Sequence, residues 1–447
     1  MVLFKMDTIV APITPLVRSS VIIIRISGPN AFDVKRYLYI NGKQVNELKH
    51  RFVYHGEFIS DEIKDDVIFY AFHKPNSYTG ENVVEISFHG NPLIVQSAIK
   101  GIYKLGIRLA EPGEFTKQAF LNGKLDLVQA EAVYELIDSK SISGIQSSFN
   151  RLKKGFKNEV EEIKNKILDV LSVVEAYIDF PEEDLSDFEL NYVYERLDSI
   201  LEKVGNLVKS FESFKHLSDG TKVAIVGKPN VGKSSLMNYL LRENRVIVSD
   251  IPGTTRDVIE EEFYVGSYPV KLIDTAGIRD SNDAIEVLGI EFSKQKLNEA
   301  DIILFIYDLE KGIDENDQYI ISKIPKEKII KVGNKLDSKK YDLDTDVDIS
   351  AKTGLGIEKL INLLENKIKE LIFIGENENC LISERQCNIF KEIEDIVLSV
   401  KNNFNNLTLD LIAVDLHSCL NKISILTGDL YTEDLLRNIF DKFCIGK

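Results

Sequence analysis

The stretch Gly227-Lys228-Pro229-Asn230-Val231-Gly232-Lys233-Ser234 decides how this chain is read. It fits G-x-x-x-x-G-K-[ST]. The apolar run Val223-Ala224-Ile225-Val226 precedes it, and helix-forming residues follow from Ser235 to Leu241. A strand that turns tightly into a helix leaves unpaired backbone N–H groups aimed at one point, and these groups with the positive helix end bind phosphate. Glycines let the backbone come close, Lys233 can reach the outer phosphates and Ser234 can hold Mg²⁺. The cradle is expected to run over Asn230, Val231, Gly232, Lys233, Ser234 and Ser235. An accidental Gly-rich turn would not carry a strand before it and a helix after it.

Three later segments specify the base. Asp274-Thr275-Ala276-Gly277 ends the run Val270-Lys271-Leu272-Ile273; Asp274 can hold Mg²⁺ through water and the Gly277 N–H can meet a γ-phosphate. Asn334-Lys335-Leu336-Asp337 follows Ile329-Ile330-Lys331-Val332, and Ser350-Ala351-Lys352 follows Val347-Asp348-Ile349. The Asp337 carboxylate can accept two hydrogen bonds from the N1 and N2 edge of guanine. Adenine would leave it unpaired at a cost of roughly 1–3 kcal/mol. N-K-x-D alone is a weak pattern; in this order, with each copy after a strand, it is strong. The segment from about Gly220 to Leu371 resembles the translation-factor-like GTPase domains.

The switch segment is Gly253-Thr254-Thr255-Arg256-Asp257, with Thr255 expected as the second Mg²⁺ hydroxyl beside Ser234. Many regulatory GTPases place a water-orienting Gln after D-x-x-G. Here that position is Ile278, which cannot orient water. Asn230, Ser249, Ile251 and Thr254 offer oxygens for a monovalent cation beside the phosphates, and such a charge could replace an arginine finger. Asn230 can also be read as an ordinary turn residue. Glu286 could orient water through a bridging molecule, or be a solvated acid at a helix start. The expected catalytic set is Glu286, Asn230, Lys233 and Thr255.

Outside this domain further fragments combine: Asp7-Thr8-Ile9-Val10-Ala11, Arg25-Ile26-Ser27-Gly28-Pro29, Ser77-Tyr78-Thr79-Gly80-Glu81 through Glu85, Pro112-Gly113-Glu114-Phe115-Thr116, Phe120 to Leu127, and Phe443-Cys444-Ile445-Gly446-Lys447. Together they make the chain resemble the MnmE (TrmE) family of tRNA-modification GTPases along nearly its whole length. The resemblance implies a potassium-dependent GTPase that works with an MnmG-type flavoprotein, in a heterotetramer-like complex. That complex would add a carboxymethylaminomethyl-type group to C5 of the wobble uridine of tRNA. FAD and NADH would belong to the partner, because this chain has no dinucleotide fingerprint. The resemblance also implies a constitutive homodimer and a tetrahydrofolate one-carbon donor held by Arg25, Glu85, Lys124 and Lys447. Cationic Arg25 and Lys124 suit glutamyl carboxylates, and Glu85 suits the pterin N–H edge. Cys444 could touch the carbon unit or be a buried apolar thiol. One departure is Val17-Arg18-Ser19-Ser20, where the family carries a Gly-rich turn; serine at a position needing positive φ would be strained.

At 447 residues, about three domains are expected. Residues 1–120 mix short β runs with a helix near Pro92–Leu105, an α+β pattern. Residues 121–217 turn helical: Val160, Ile163, Ile167, Val170, Val174 and Tyr177 form one apolar stripe. The GTPase domain is assigned to 218–372, and helical periodicity returns in 373–447. The fold class is therefore multidomain: an α+β N-terminal folate-binding domain, an all-α helical domain and an inserted α/β P-loop GTPase domain.

No run of about 18 apolar residues suggests a membrane span, no signal or transit peptide is recognised, and a cytoplasmic location is expected. Cys380, Cys387, Cys419 and Cys444 lack disulfide-scaffold or zinc spacing. The net charge of −16 makes the chain a poor general nucleic-acid binder, so any tRNA contact must be local or shared. Arg151, Lys153, Lys154 and Lys157 are the nearest approach to a basic patch, though a solvated helix face explains them as well. A ribosome-assembly GTPase or a plain regulatory switch would use the same nucleotide motifs. The first would normally bring a basic RNA-binding module, and the second an external activator.

Overall fold

The computed structural model describes residues 7–139, 141–153, 155–180, 187–218, 220–243, 261–273, 299–322, 324–372, 382–404 and 407–447. Two compact units are present. One takes in the described residues of 1–134, 151–154 and 416–447; the other takes in those of 135–150 and 155–415.

The first unit holds an eight-stranded sheet among the described residues. Its strands are β1 (Ile9–Pro12), β2 (Val21–Ser27), β3 (Leu38–Ile40), β4 (Lys43–Gln44), β5 (Val53–Ile59), β6 (Lys64–Phe72), β7 (Val83–His89) and β8 (Arg108–Leu109). Their order is β4-β3-β5-β6-β7-β2-β1-β8. All neighbours are antiparallel except β1 and β8. Side chains alternate across the pleat, so one face is apolar. Ile22, Ile24, Ile26, Phe69, Ile86 and Phe88 pack there with Val95, Ala98 and Ile102 of helix Pro92–Tyr103. Asn91 caps that helix by accepting from Leu93 N, and Pro92 at its first turn needs no N–H partner. The opposite face places Arg25, Glu85 and Tyr70 on one rung, since Glu85 is paired with both of the others in the strand register.

The chain's last segment belongs to this unit. Leu436, Ile439, Phe440 and Phe443 form one core with Phe120, Leu127 and Ala130. Pro112 and Ile445 make an antiparallel bridge, and Phe115 N donates to Lys447 O at 3.0 Å. The apolar stripe of helix Glu433–Phe440 is buried against helix Glu114–Leu121, and that burial sets the grouping.

The strain expected at Ser19-Ser20 does not arise. Neither residue has positive φ among the described backbone. Ser19 N donates to Gly90 O at 3.0 Å and Gly90 N to Ser20 O at 3.2 Å, so the demand for glycine falls on the facing chain. A Cβ on Gly90 would lie 1.9 Å from Ser19 O.

The second unit contains a six-stranded sheet among the described residues: β9 (Thr221–Gly227), β10 (Glu261–Val265), β11 (Tyr268–Ile273), β12 (Ile302–Asp308), β13 (Ile329–Asn334) and β14 (Val347–Asp348). The order is β10-β11-β9-β12-β13-β14, parallel except for β10 with β11. All seven residues of β12 are buried, as a central parallel strand covered on both faces requires. Leu236 and Leu240 of helix Lys233–Glu243 and Leu360 and Leu364 of helix Ile357–Leu371 cover one face; Phe305 and Tyr307 pack with Ala300 and Ile324 on the other.

Helix Asp187–Ser218 packs against both Gly155–Asp179 and Glu384–Asn403. Lys203 Nζ donates to Glu162 Oε2 at 2.8 Å, Lys401 pairs with Asp198, and the Phe156 and Phe390 rings lie 6.1 Å apart. Segments before and after the nucleotide-binding sheet thus share one helical body, and the sheet is an insertion into it. A Ser383–Gln386 capping box starts the returning helix. Helix Asp187–Ser218 leads through Gly220, at φ +91°, into β9 at Thr221. There His216 Nδ1 lies 3.5 Å from Asp301 Oδ2, which also accepts from Lys222 N at 2.8 Å.

Arg151 is 1 % exposed, so it adds nothing to a basic surface; Lys154 lies outside the described residues. No helix among the described residues is long and apolar enough to cross a membrane.

Candidate functional site

The sheet order reverses at β9: the chain continues to β11 on one side and β12 on the other. Open parallel sheets bind ligands at the carboxyl ends of strands beside such a reversal. The Gly227–Ser234 loop begins there.

Three close approaches define the loop. Asn230 adopts the left-handed conformation at φ +66°. Lys233 Nζ donates to Gly227 O at 2.7 Å and Lys228 O at 2.6 Å, which centres the ammonium over the loop, and burial lowers its pKa. Gly232, at φ +100°, has its Cβ position 2.1 Å from Asn334 Nδ2, so only glycine fits. Lys228 leaves the loop for Asp314 and Asp317, 2.7 Å from the latter.

Asn334, at the end of β13, is 3 % exposed. Its Nδ2 donates to Val231 O at 2.7 Å, and its Oδ1 accepts from Ala351 N at 2.9 Å. One amide therefore ties the phosphate loop to the Ser350-Ala351-Lys352 loop. Lys335 is left-handed at φ +68°, and its Nζ lies 2.7 Å from Asp308 Oδ2. Ser350 Oγ donates to Asp337 Oδ1 at 2.6 Å. That hydroxyl lowers the Asp337 pKa, with smaller help from Lys352 and Lys335. The Asp337 carboxylate is exposed. Asp308 and the two-sided role of Asn334 were not singled out from the sequence. Ser249, Ile251, Thr254, Thr255, Asp274, Thr275, Ala276, Gly277 and Glu286 lie outside the described residues.

A second constellation occupies the outer face of the first sheet. Arg25 Nε donates to Glu85 Oε1 at 2.7 Å, and Tyr70 OH donates to Glu85 Oε2 at 2.7 Å. Burial, then the Glu85 hydrogen bond, pushes the Tyr70 pKa up to about 12. The Arg25 guanidinium lies 5.1 Å from the Tyr78 ring centre and 5.4 Å from that of Phe115. Arg25 and Glu85 thus engage each other and present one paired surface. Lys124 Nζ donates to Pro75 O at 3.1 Å. Cys444 is exposed, which removes the buried-thiol alternative. Tyr70 and Phe115 were not picked out in advance; Tyr70 shares the outward period-two pattern of β6, a usable signal.

Comparison with known proteins is consistent with this geometry. Residues 8–124 match the model of the GTP-binding protein TrmE N-terminus, and residues 127–444 match that of the MnmE helical domain. The tRNA modification GTPase MnmE of Carboxydothermus hydrogenoformans is 38% identical over 462 residues, covering 99% of both chains. The chain belongs to the MnmE family. It is a GTPase of that family. The Aquifex aeolicus MnmE is 39% identical over 452 residues, covering 99% of this chain and all of that one. The G domain of the T. maritima FeoB iron transporter is 29% identical, with a TM-score of 0.25, over 34% of this chain and 99% of that one. The MnmE helical match runs from before the nucleotide-binding sheet to after it, as an inserted domain requires.

Proposed function

We propose that this chain hydrolyses GTP with potassium assistance and uses the cycle to drive tRNA modification at C5 of the wobble uridine. The observation that carries the nucleotide reading is Asn334, bonded at once to the phosphate loop and to the loop whose Ser350 orients Asp337. Such a pocket is preorganised for a base with two adjacent donors, which is guanine's edge.

Ser234 and Thr255 are proposed to hold Mg²⁺, and Asn230, Ser249, Ile251 and Thr254 to hold K⁺. The bound ions would supply positive charge against the transferring phosphate. The chain's own part is to position. Lys233 faces the outer phosphates, backbone N–H groups from Asn230 to Ser235 cradle them, and Glu286 orients water. The left-handed Asn230 suits the ion role, because its short amide can turn toward the loop's interior.

Arg25, Glu85, Lys124 and Lys447 are proposed to hold a one-carbon tetrahydrofolate, with Cys444 beside it. The fit rests on a paired cation and carboxylate, stacked on two aromatic rings, which suits a planar polar ligand. A homodimer, an MnmG-type flavoprotein partner that brings FAD and NADH, tRNA as substrate and a cytoplasmic location complete the reading.

GTP turnover in potassium against sodium tests the cation. At least about tenfold stimulation is expected, the scale of one well-placed transition-state charge; equal rates would remove it. Nucleoside analysis of tRNA after deletion of the gene tests the larger reading, through loss of the modified wobble uridine.

A further inference from the structure

Glu81 lies on the folate-site side of the first sheet and has no part in the function proposed above. It is 7 % exposed, and Ser27 and Thr79 are fully buried. Glu81 N donates to Thr79 Oγ1 at 3.3 Å, and Ser27 Oγ donates to Glu81 Oε2 at 3.1 Å. The two hydroxyls lie 2.7 Å apart. Since Ser27 spends its proton on the carboxyl, Thr79 must donate to Ser27. The result is a closed ring from the Glu81 amide, through two hydroxyls, to the Glu81 carboxyl.

The ring fastens a loop to β2. Ser27 is two residues from Arg25, on the same face and about 7 Å along the strand. Thr79 O accepts from Asn122 Nδ2 at 2.7 Å, and Glu81 O accepts from Ser77 Oγ at 2.6 Å. The loop between carries Tyr78, whose ring lies beside Arg25, and Gly80, whose Cβ position is 3.2 Å from Lys124 Cγ. Two proposed folate ligands thus rest on a loop whose anchor is Glu81.

We propose that Glu81 is a positioning residue of the folate site, holding the Ser77–Glu81 loop in the arrangement that seats Arg25 and Lys124. This rests on the folate reading above. Burial raises the Glu81 pKa; the Ser27 bond opposes that rise and nearby Glu114 adds to it. The charged neighbour that acts on it is Glu114 at the start of helix Glu114–Leu121, which is held by Arg108 at 2.5 and 2.9 Å, while Arg25 on β2 and Glu85 on β7 are paired with each other. No cation among the described residues contributes to the Glu81 shift. With a raised folded-state pKa, the fold favours protonated Glu81. As pH climbs through that value a buried charge forms beside Glu114, and the Ser27 bond, though it strengthens, offsets only part of that cost and leaves the loop strained.

The test titrates the full chain with 5-formyltetrahydrofolate by fluorescence, from about pH 5.5 to about pH 8.5. Wild-type affinity should fall with rising pH. Glu81→Gln, the shape of the neutral acid, should bind like the wild type at the acidic end and keep that affinity throughout. Glu81→Ala should bind about tenfold more weakly at every pH. Wild-type affinity in Glu81→Ala, or a Glu81→Gln as weak as Glu81→Ala, overturns the proposal. Amide exchange of residues 77–81 without folate is the second readout. It should quicken in Glu81→Ala and not in Glu81→Gln, and unchanged exchange in Glu81→Ala also overturns the proposal. A wild type that binds no folate at any pH overturns the folate reading and the site role together, while the exchange result still decides the anchoring.

Discussion

Asn334 shows how much one side chain can settle. Its partners Val231 and Ala351 are 103 and 17 positions away in sequence, so the N-K-x-D pattern names the residue without revealing either bond. The pattern also points to Asp337, the carboxylate proposed to read the base and held by Ser350. Asp337→Asn exchanges an acceptor for a donor at the edge facing N1 of the base. GTP affinity should fall by about a hundredfold and xanthosine triphosphate should bind in its place, measured by competition with a fluorescent nucleotide. Unchanged base preference would refute the guanine pocket. Residues named only through family likeness fared differently. Arg25 and Glu85 were expected to face separate parts of a ligand, and the strand register joins them. Register is a long-range property that no local window contains.

Among elements, the legible ones were those with a motif at one end or a clean period. β9, β11, β13 and β14 each lead into a nucleotide motif, and helix Gly155–Asp179 carries an unbroken apolar stripe. β12 leads into no motif and was passed over, although Ile302–Asp308 is the most deeply buried strand of its sheet. β5 was also missed: His55, Gly56 and Glu57 interrupt the apolar run, and pairing with β3 and β6 holds it extended. Phe305 in β12 is fully buried and packs with Ala300, Tyr307 and Ile324. Phe305→Ala should cost about 3–5 kcal/mol. Chemical denaturation of the full chain should show the nucleotide-binding domain unfolding at lower denaturant, with GTP shifting the transition back up. A loss below about 1 kcal/mol would mean that the site collapses around the gap.

At the scale of the whole molecule, the periodicity on each side of the GTPase domain disclosed two helical stretches but not their contact. The contact depends on which faces meet, as with Phe156 and Phe390, and on charge pairs such as Lys401 with Asp198. The joint between helix and sheet is electrostatic as well as covalent. Burial works against ionised Asp301, but the His216 contact and the Lys222 N–H outweigh it and leave its pKa lowered. A depressed carboxylate stabilises above its unfolded-state pKa and loses that contribution as pH falls through the folded-state value. Thermal unfolding of the full chain should therefore show an acid-side decline that is smaller in Asp301→Asn. An identical decline in the variant would place the acid sensitivity elsewhere.

The same joint has a mechanical meaning. A helix of 32 residues ends at Ser218, and the strand that carries the phosphate loop starts at Thr221. Tension drawn along that helix would load β9 lengthwise between its two parallel neighbours, shearing a whole ladder of hydrogen bonds at once instead of peeling them singly. Pulled in an optical trap from its helical end, the nucleotide cradle should resist as a stiff element and fail abruptly.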